Sequence, residues 1–100
     1  MEKKKRHYPL ERVKQLIMEG KWRLTETALD NALADFLFLR GHVYKVILNL
    51  ETHDFYKSMT DYNNYTSWQD VYRPVLNGVL AFIKVSIIGE ETVVIQFKRK

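Results

Sequence analysis

Cysteine is absent from the 100-residue chain. That excludes a disulfide framework and every thiolate zinc site, and leaves His7, His42 and His53 as the neutral metal ligands. No metal site and no cofactor are expected. Long apolar runs are missing too: stretches such as Phe36 to Leu39 and Val79 to Ile83 reach four or five residues, far short of the roughly 18 that a membrane span needs. A secretory leader would follow the basic start Lys3-Lys4-Lys5-Arg6 with about 7 to 15 apolar residues, and the chain instead continues His7-Tyr8-Pro9-Leu10-Glu11-Arg12. A cytoplasmic location with no membrane partner is the expectation. Internal repeats and low-complexity tracts are also lacking.

What is present is enough for one globular unit. At about 100 to 200 residues per domain, residues 1–100 form a single domain. With 46% hydrophobic, 13% aromatic and 28% charged residues, the chain can bury a core and does not have the composition of a disordered tail. The net charge of +4 is unevenly placed: residues 1–23 hold eight Lys and Arg against three acids, and the remainder holds eight against nine. An anionic partner is suggested. No helix-turn-helix pattern accompanies the basic leader, so it reads as a frayed, solvated terminus rather than a DNA-binding arm.

The first half has helical periodicity. Pro9 suits a first helical turn, and Leu10, Val13, Leu16 and Ile17 follow at helical spacing up to Gly20, which predicts a helix over 9–19. Thr25 is an N-cap candidate for a second helix, with Ala28, Leu29, Ala32, Leu33, Phe36 and Leu37 on a stripe that reads as core. Residues 42–50 also suit a helix, although Val43, Val46 and Ile47 are β-branched. Thr52 to Thr66 is polar and tyrosine-rich, with Asn63-Asn64 as a turn signal, and reads as irregular.

The last third changes period from 3.6 to 2. A strand over Trp68 to Tyr72 puts Gln69, Val71 and Arg73 on one face before Pro74 interrupts pairing. Strands over Val79 to Ile88 and Thr92 to Lys98 place Val79, Ala81, Ile83, Val85 and Ile87, and then Val93, Ile95 and Phe97, on an apolar face. Gly89-Glu90-Glu91 joins them as a hairpin. With a three-residue turn Lys84 lies opposite Gln96 and Phe82 opposite Lys98, so the other face is polar and basic. Helices first and strands last make an α+β chain.

Signals for catalysis are sparse. No H-E-x-x-H spacing, Gly-rich phosphate loop or G-x-S-x-G elbow occurs, and each histidine reads more readily as a structural group than a catalytic one. Asp54, Asp61 and Asp70 have no sequence partner that would form an acid/base pair. The second half instead carries Tyr56, Lys57, Tyr62, Tyr65, Gln69, Tyr72, Arg73, Lys84 and Lys98. Fixed cations can stabilise charge on phosphate, amides can orient it, and aromatic rings can stack on splayed bases. The same set also suits solvated lysines and amphipathic tyrosines at a core edge.

Two strings decide between these readings: Asp54-Phe55-Tyr56-Lys57-Ser58-Met59-Thr60 and Trp68-Gln69-Asp70-Val71-Tyr72-Arg73-Pro74, followed by Phe97-Lys98. With the Met1-Glu2-Lys3 start, Val13-Lys14, Leu16, Gly20 and the Arg23-x-Thr25 segment before Ala28-Leu29, the chain resembles the MqsR family, the motility quorum-sensing regulator toxins of toxin-antitoxin systems. The resemblance implies a RelE-like microbial ribonuclease fold, with N-terminal helices on a largely antiparallel sheet. It also implies an mRNA interferase that cleaves single-stranded mRNA independently of the ribosome and without metal, at GCU-type sites. The implied partners are that RNA, a cognate antitoxin with a zinc-binding domain and a helix-turn-helix domain (MqsA-like), and operator DNA only through the antitoxin.

Carried over by position, the family's functional lysine falls on Lys57, its glutamine on Gln69 and its C-terminal lysine on Lys98. Tyr56, Arg73, Phe82 and Lys84 are the expected RNA-binding residues. The family's functional tyrosine falls on Phe82 when the chain is aligned from Pro74 without a gap, so a hydroxyl is missing. Two readings follow: an active endoribonuclease, or an attenuated homologue that binds RNA or titrates the antitoxin.

Overall fold

The computed structural model describes residues 1–100, the side chains of residues 64 and 65 excepted. In chain order the elements are β1 (Glu2–Lys3), α1 (Leu10–Met18), β2 (Trp22–Leu24), α2 (Glu26–Phe36), α3 (Arg40–Leu48), a 3-10 turn at Thr52–Asp54, β3 (Phe55–Asp61), β4 (Asn64–Tyr72), β5 (Val75–Leu76), β6 (Val79–Ile88) and β7 (Glu91–Arg99). This is the expected α+β fold, and it agrees with a RelE-like architecture. Among the described residues no helix is long and apolar enough to cross a membrane.

The helices form where the periodicity places them. α1 follows Pro9, whose φ of −59° already suits a helix, and buries Leu10, Val13, Leu16 and Ile17. The Thr25 hydroxyl accepts the Ala28 N–H at 3.1 Å and donates to the Ile95 carbonyl at 2.8 Å, so one side chain both caps α2 and ties it to β7. The expected core stripe of α2 is divided, however. Ala28 and Ala32 are buried and Phe36 is partly buried, whereas Leu29, Leu33 and Leu37 are 40%, 48% and 79% exposed. Neighbouring helix positions differ by about 100°, and with the alanines turned onto the core the adjoining leucines face solvent.

Seven strands form one sheet in the order β1-β3-β4-β6-β7-β2, with β5 pairing β6 beside this path. All pairs are antiparallel except β2 with β7. The expectation of irregular chain over Thr52 to Thr66 is corrected: most of it is the β3–β4 hairpin. Alternation is masked there because Lys57, Met59 and Asp61 on one face, and Ser58 and Thr60 on the other, give no hydrophobic period. The basic leader is not simply frayed either. β1 pairs with β3, and the terminal amino group donates to the Thr60 hydroxyl at 3.0 Å.

The last hairpin keeps its expected pairing by a different route. Its turn has two residues, Gly89 at φ +62° and Glu90, so Ile88 pairs with Glu91. A bulge then leaves Ile95 unpaired opposite the Lys84–Val85 step and restores the register, which sets Lys84 against Gln96 and Phe82 against Lys98. The bulge also puts Val94 rather than Ile95 in the core with Phe97. That core joins Val13 and Ile17 of α1, Ala28 and Ala32 of α2, Val43 and Ile47 of α3, and the inner sheet face at Tyr72, Ala81, Ile83, Val85, Val94 and Phe97. The helices occupy this face and leave part of the other open.

Candidate active site

Strand pleating gathers the polar residues on the face opposite the helices. Lys57, Val71, Lys84 and Gln96 stand in one row across β3, β4, β6 and β7. Two positions along, Phe82 is paired with Lys98, and Arg73 lies just past the end of β4 on the same side. Two positions the other way, Gln69 is paired with Met59. Their strand neighbours Tyr72, Ile83, Val85 and Phe97 point into the core. A period of two therefore assembles a site from residues far apart in the chain.

Two aromatic rings carry most of the cations. Tyr56 lies at a β3 bulge, between Phe55 and Lys57, with Arg73 at 4.2 Å, Lys4 at 5.0 Å and Lys57 at 5.4 Å from the ring centroid. The Phe82 ring has Lys98 at 5.5 Å and Lys84 at 5.7 Å. All five contacts fall within cation–π range. Lys57 Nζ is also 2.6 Å from Glu2 Oε2, and this lysine's hydrogen bond is the main cause that holds the Glu2 carboxyl below its usual range. Gln69 is 5% exposed, and its Nε2 donates to Asp61 Oδ2 at 3.4 Å. Burial pushes the Lys84 ammonium down; the positive charges of Lys98 and Lys57 act the same way and Asp61 opposes them.

Of the other candidates, Tyr62 is 93% exposed at the hairpin turn and makes no part of this row. The side chain of Tyr65 lies outside the described residues. Tyr72 is fully buried in the core, its hydroxyl has no hydrogen-bond partner among the described residues, and burial raises its phenol pKa far above the usual value. It cannot replace a hydroxyl at Phe82. The histidines have local structural contacts. His7 stacks on Trp68 at 5.3 Å, His42 Nδ1 accepts the Leu39 N–H at 3.0 Å, and His53 lies within 3.5 Å of Glu51 and Asp54 oxygens. Among the described residues no group of three or more His, Asp or Glu comes together to hold a metal ion.

Sequence reasoning missed Glu2, Lys4 and Asp61 at this face. The first two arrive through β1, a two-residue strand with no periodic signal, and Asp61 through the hairpin that reads as irregular chain. A cleft of about 600 Å³ beside α3 shares only Arg73 with the site, being lined otherwise by residues such as Lys45, Asn49, Asp54 and Leu76. The candidate site is thus an open face rather than an enclosed pocket.

A small α+β fold with lysines, an arginine, a glutamine and cation-flanked rings on one open sheet face suits the endoribonuclease toxins, and comparison with known proteins assigns the chain to that class. The family described as motility quorum-sensing regulator, toxin of MqsA, matches residues 5–99. The chain is also 42% identical over 100 residues, all of both sequences, to the mRNA interferase toxin MqsR of Escherichia coli (strain K12). The chain belongs to the MqsR toxin family.

Proposed function

We propose that residues 1–100 act as one cytoplasmic toxin domain that cleaves single-stranded mRNA at GCU-type sites, without metal and without the ribosome. One observation carries the reading: Lys57, Lys84 and Lys98 share a face with Gln69 and with the rings of Tyr56 and Phe82. Lys57 and Lys98 stabilise charge on the scissile phosphate, and Gln69, held by Asp61, orients a non-bridging oxygen or a base edge. Tyr56, Arg73, Phe82 and Lys84 bind the strand through stacking and phosphate contacts. The RNA 2′-hydroxyl attacks the adjacent phosphorus in line, leaving a 2′,3′-cyclic phosphate and a free 5′-hydroxyl. Neutralisation falls to a cognate MqsA-like antitoxin, zinc-binding and helix-turn-helix, which also makes the contacts to operator DNA.

Phe82 favours a second reading, an attenuated homologue that binds RNA or titrates the antitoxin, because a phenyl ring stacks and transfers no proton. One experiment separates the two. The purified chain is incubated with a single-stranded RNA containing GCU sites in excess chelator, and cut positions and end groups are mapped. Discrete cuts ending in 2′,3′-cyclic phosphate, reduced by orders of magnitude in a folded Lys57→Ala variant, are expected. Intact RNA from folded protein moves the reading to binding.

A further inference from the structure

We propose that Lys84 is the general base of the cleavage, its neutral amine taking the proton of the attacking 2′-hydroxyl; this rests on the ribonuclease reading above. Of the three lysines of the face, Lys84 lies on the most central strand. Its strand is paired on both sides, with Val71 of β4 opposite it on one edge and Gln96 of β7 on the other. Lys57 extends from β3, beside the short edge strand β1, and Lys98 is exposed near the end of β7. The Lys84 side chain is half-buried against the Phe82 ring.

Its neighbours favour the uncharged amine. Lys57 has the Glu2 carboxylate at 2.6 Å, whereas among the described residues no carboxylate forms an ion pair with Lys84. The charged groups that act on it are Lys98 from β7 and Asp61 and Lys57 from β3. Two of the three are cations. Asp61, the one acid, is committed elsewhere, accepting the Asn63 backbone N–H at 2.8 Å and the Gln69 amide at 3.4 Å. Gln96 is uncharged, and its Oε1 accepts from Asn31 and from the Phe97 backbone N–H. Burial and the two neighbouring ammonium groups lower the Lys84 pKa, which is how a lysine becomes a base.

Other groups of the face are engaged or cannot titrate. Glu2 is engaged by Lys57, the glutamines do not titrate, and Phe82 has no hydroxyl. In the step, the 2′-oxygen bonds to phosphorus as its proton passes to Lys84. The bond from phosphorus to the 5′-oxygen breaks, and that oxygen takes a proton from the Lys98 ammonium. Lys84 then releases its proton to water and Lys98 regains one, so the cycle closes without a net proton change.

The test compares Lys84→Arg, which keeps the charge and cannot act as a base, with Lys84→Ala, in the RNA assay above, after circular dichroism has shown both to be folded. Lys84→Arg is expected to lose about 10²–10⁴-fold in kcat with KM little changed, the usual range for a positioned general base. The wild-type rate is expected to rise with pH to a plateau reached below the ordinary lysine pKa, and Lys84→Ala to regain activity with added ethylamine. Carbon NMR of the lysine side chains in the free protein is expected to show Lys84 deprotonating below the ordinary lysine pKa. Cleavage by Lys84→Arg within about threefold of wild type, or titration of Lys84 at or above the ordinary lysine pKa, overturns the proposal alone. Absence of cutting by the folded wild type overturns the ribonuclease reading and this proposal together.

Discussion

At the scale of single residues, Phe82 separates stacking from proton transfer. The ammonium groups of Lys84 and Lys98 lie 5.7 and 5.5 Å from its ring centroid. If Lys84 takes the proton, Phe82→Tyr leaves the cleavage rate within a few-fold of wild type, whereas a large gain would show that the chain lacks a working hydroxyl. Phe82→Ala is expected to weaken RNA binding about 5- to 150-fold, the equivalent of the roughly 1–3 kcal/mol of one base–aromatic stack. Filter binding to uncleavable 2′-deoxy RNA measures it. His7 gives a pH dependence of a different kind. Burial, and then the nearby Lys3 charge, disfavour its imidazolium in the folded chain, so the unfolded state binds more protons as pH falls below about 6.5. Stability is therefore full above that pH and declines below it. Urea midpoints at neutral pH and about one unit below the ordinary histidine pKa should fall less in His7→Gln than in wild type. The tripled cation set around Tyr56 and the half-burial of Lys84 could not be read from spacing, because both depend on how four strands align.

At the scale of elements, the helices and the last hairpin were legible since each buries one regular face. The failures have distinct causes. β1 and β2 are two and three residues long, too short for any period to show. The β3–β4 hairpin carries polar side chains on both faces, so no alternation marked it. In α2, leucine and alanine recur at the same four-residue interval, and hydrophobicity alone cannot tell which series faces inward. The geometry gives a contrast. Leu33→Lys is expected to change stability by no more than about 0.5 kcal/mol, as for a surface site. Ala32→Leu, at a fully buried position, should cost about 1–3 kcal/mol by overpacking. Thr25→Ala loses a cap worth about 0.5–2 kcal/mol as well as the bond to Ile95. Chemical denaturation of the three variants would rank them, and a destabilised Leu33→Lys would contradict the orientation of α2.

At the scale of the whole molecule, the +4 charge is less informative than its placement. Lys4, Lys57, Arg73, Lys84 and Lys98 converge on one face, although the sequence divides its excess towards the N-terminus. If about three to five phosphates are neutralised there, the logarithm of the RNA association constant should fall against the logarithm of salt with a slope of about −2 to −3.5. A slope near zero would mean that the face does not follow the RNA backbone. Strand order has a further consequence, for synthesis. The first strand made closes one edge of the sheet and the second closes the other, and the second pairs only with β7, the last to be made. β2 has nowhere to dock until β7 has been made, and Lys98 lies on that strand. The sheet therefore closes late: its second edge and the strand that carries Lys98 are added together, and a chain that has not yet made β7 holds neither.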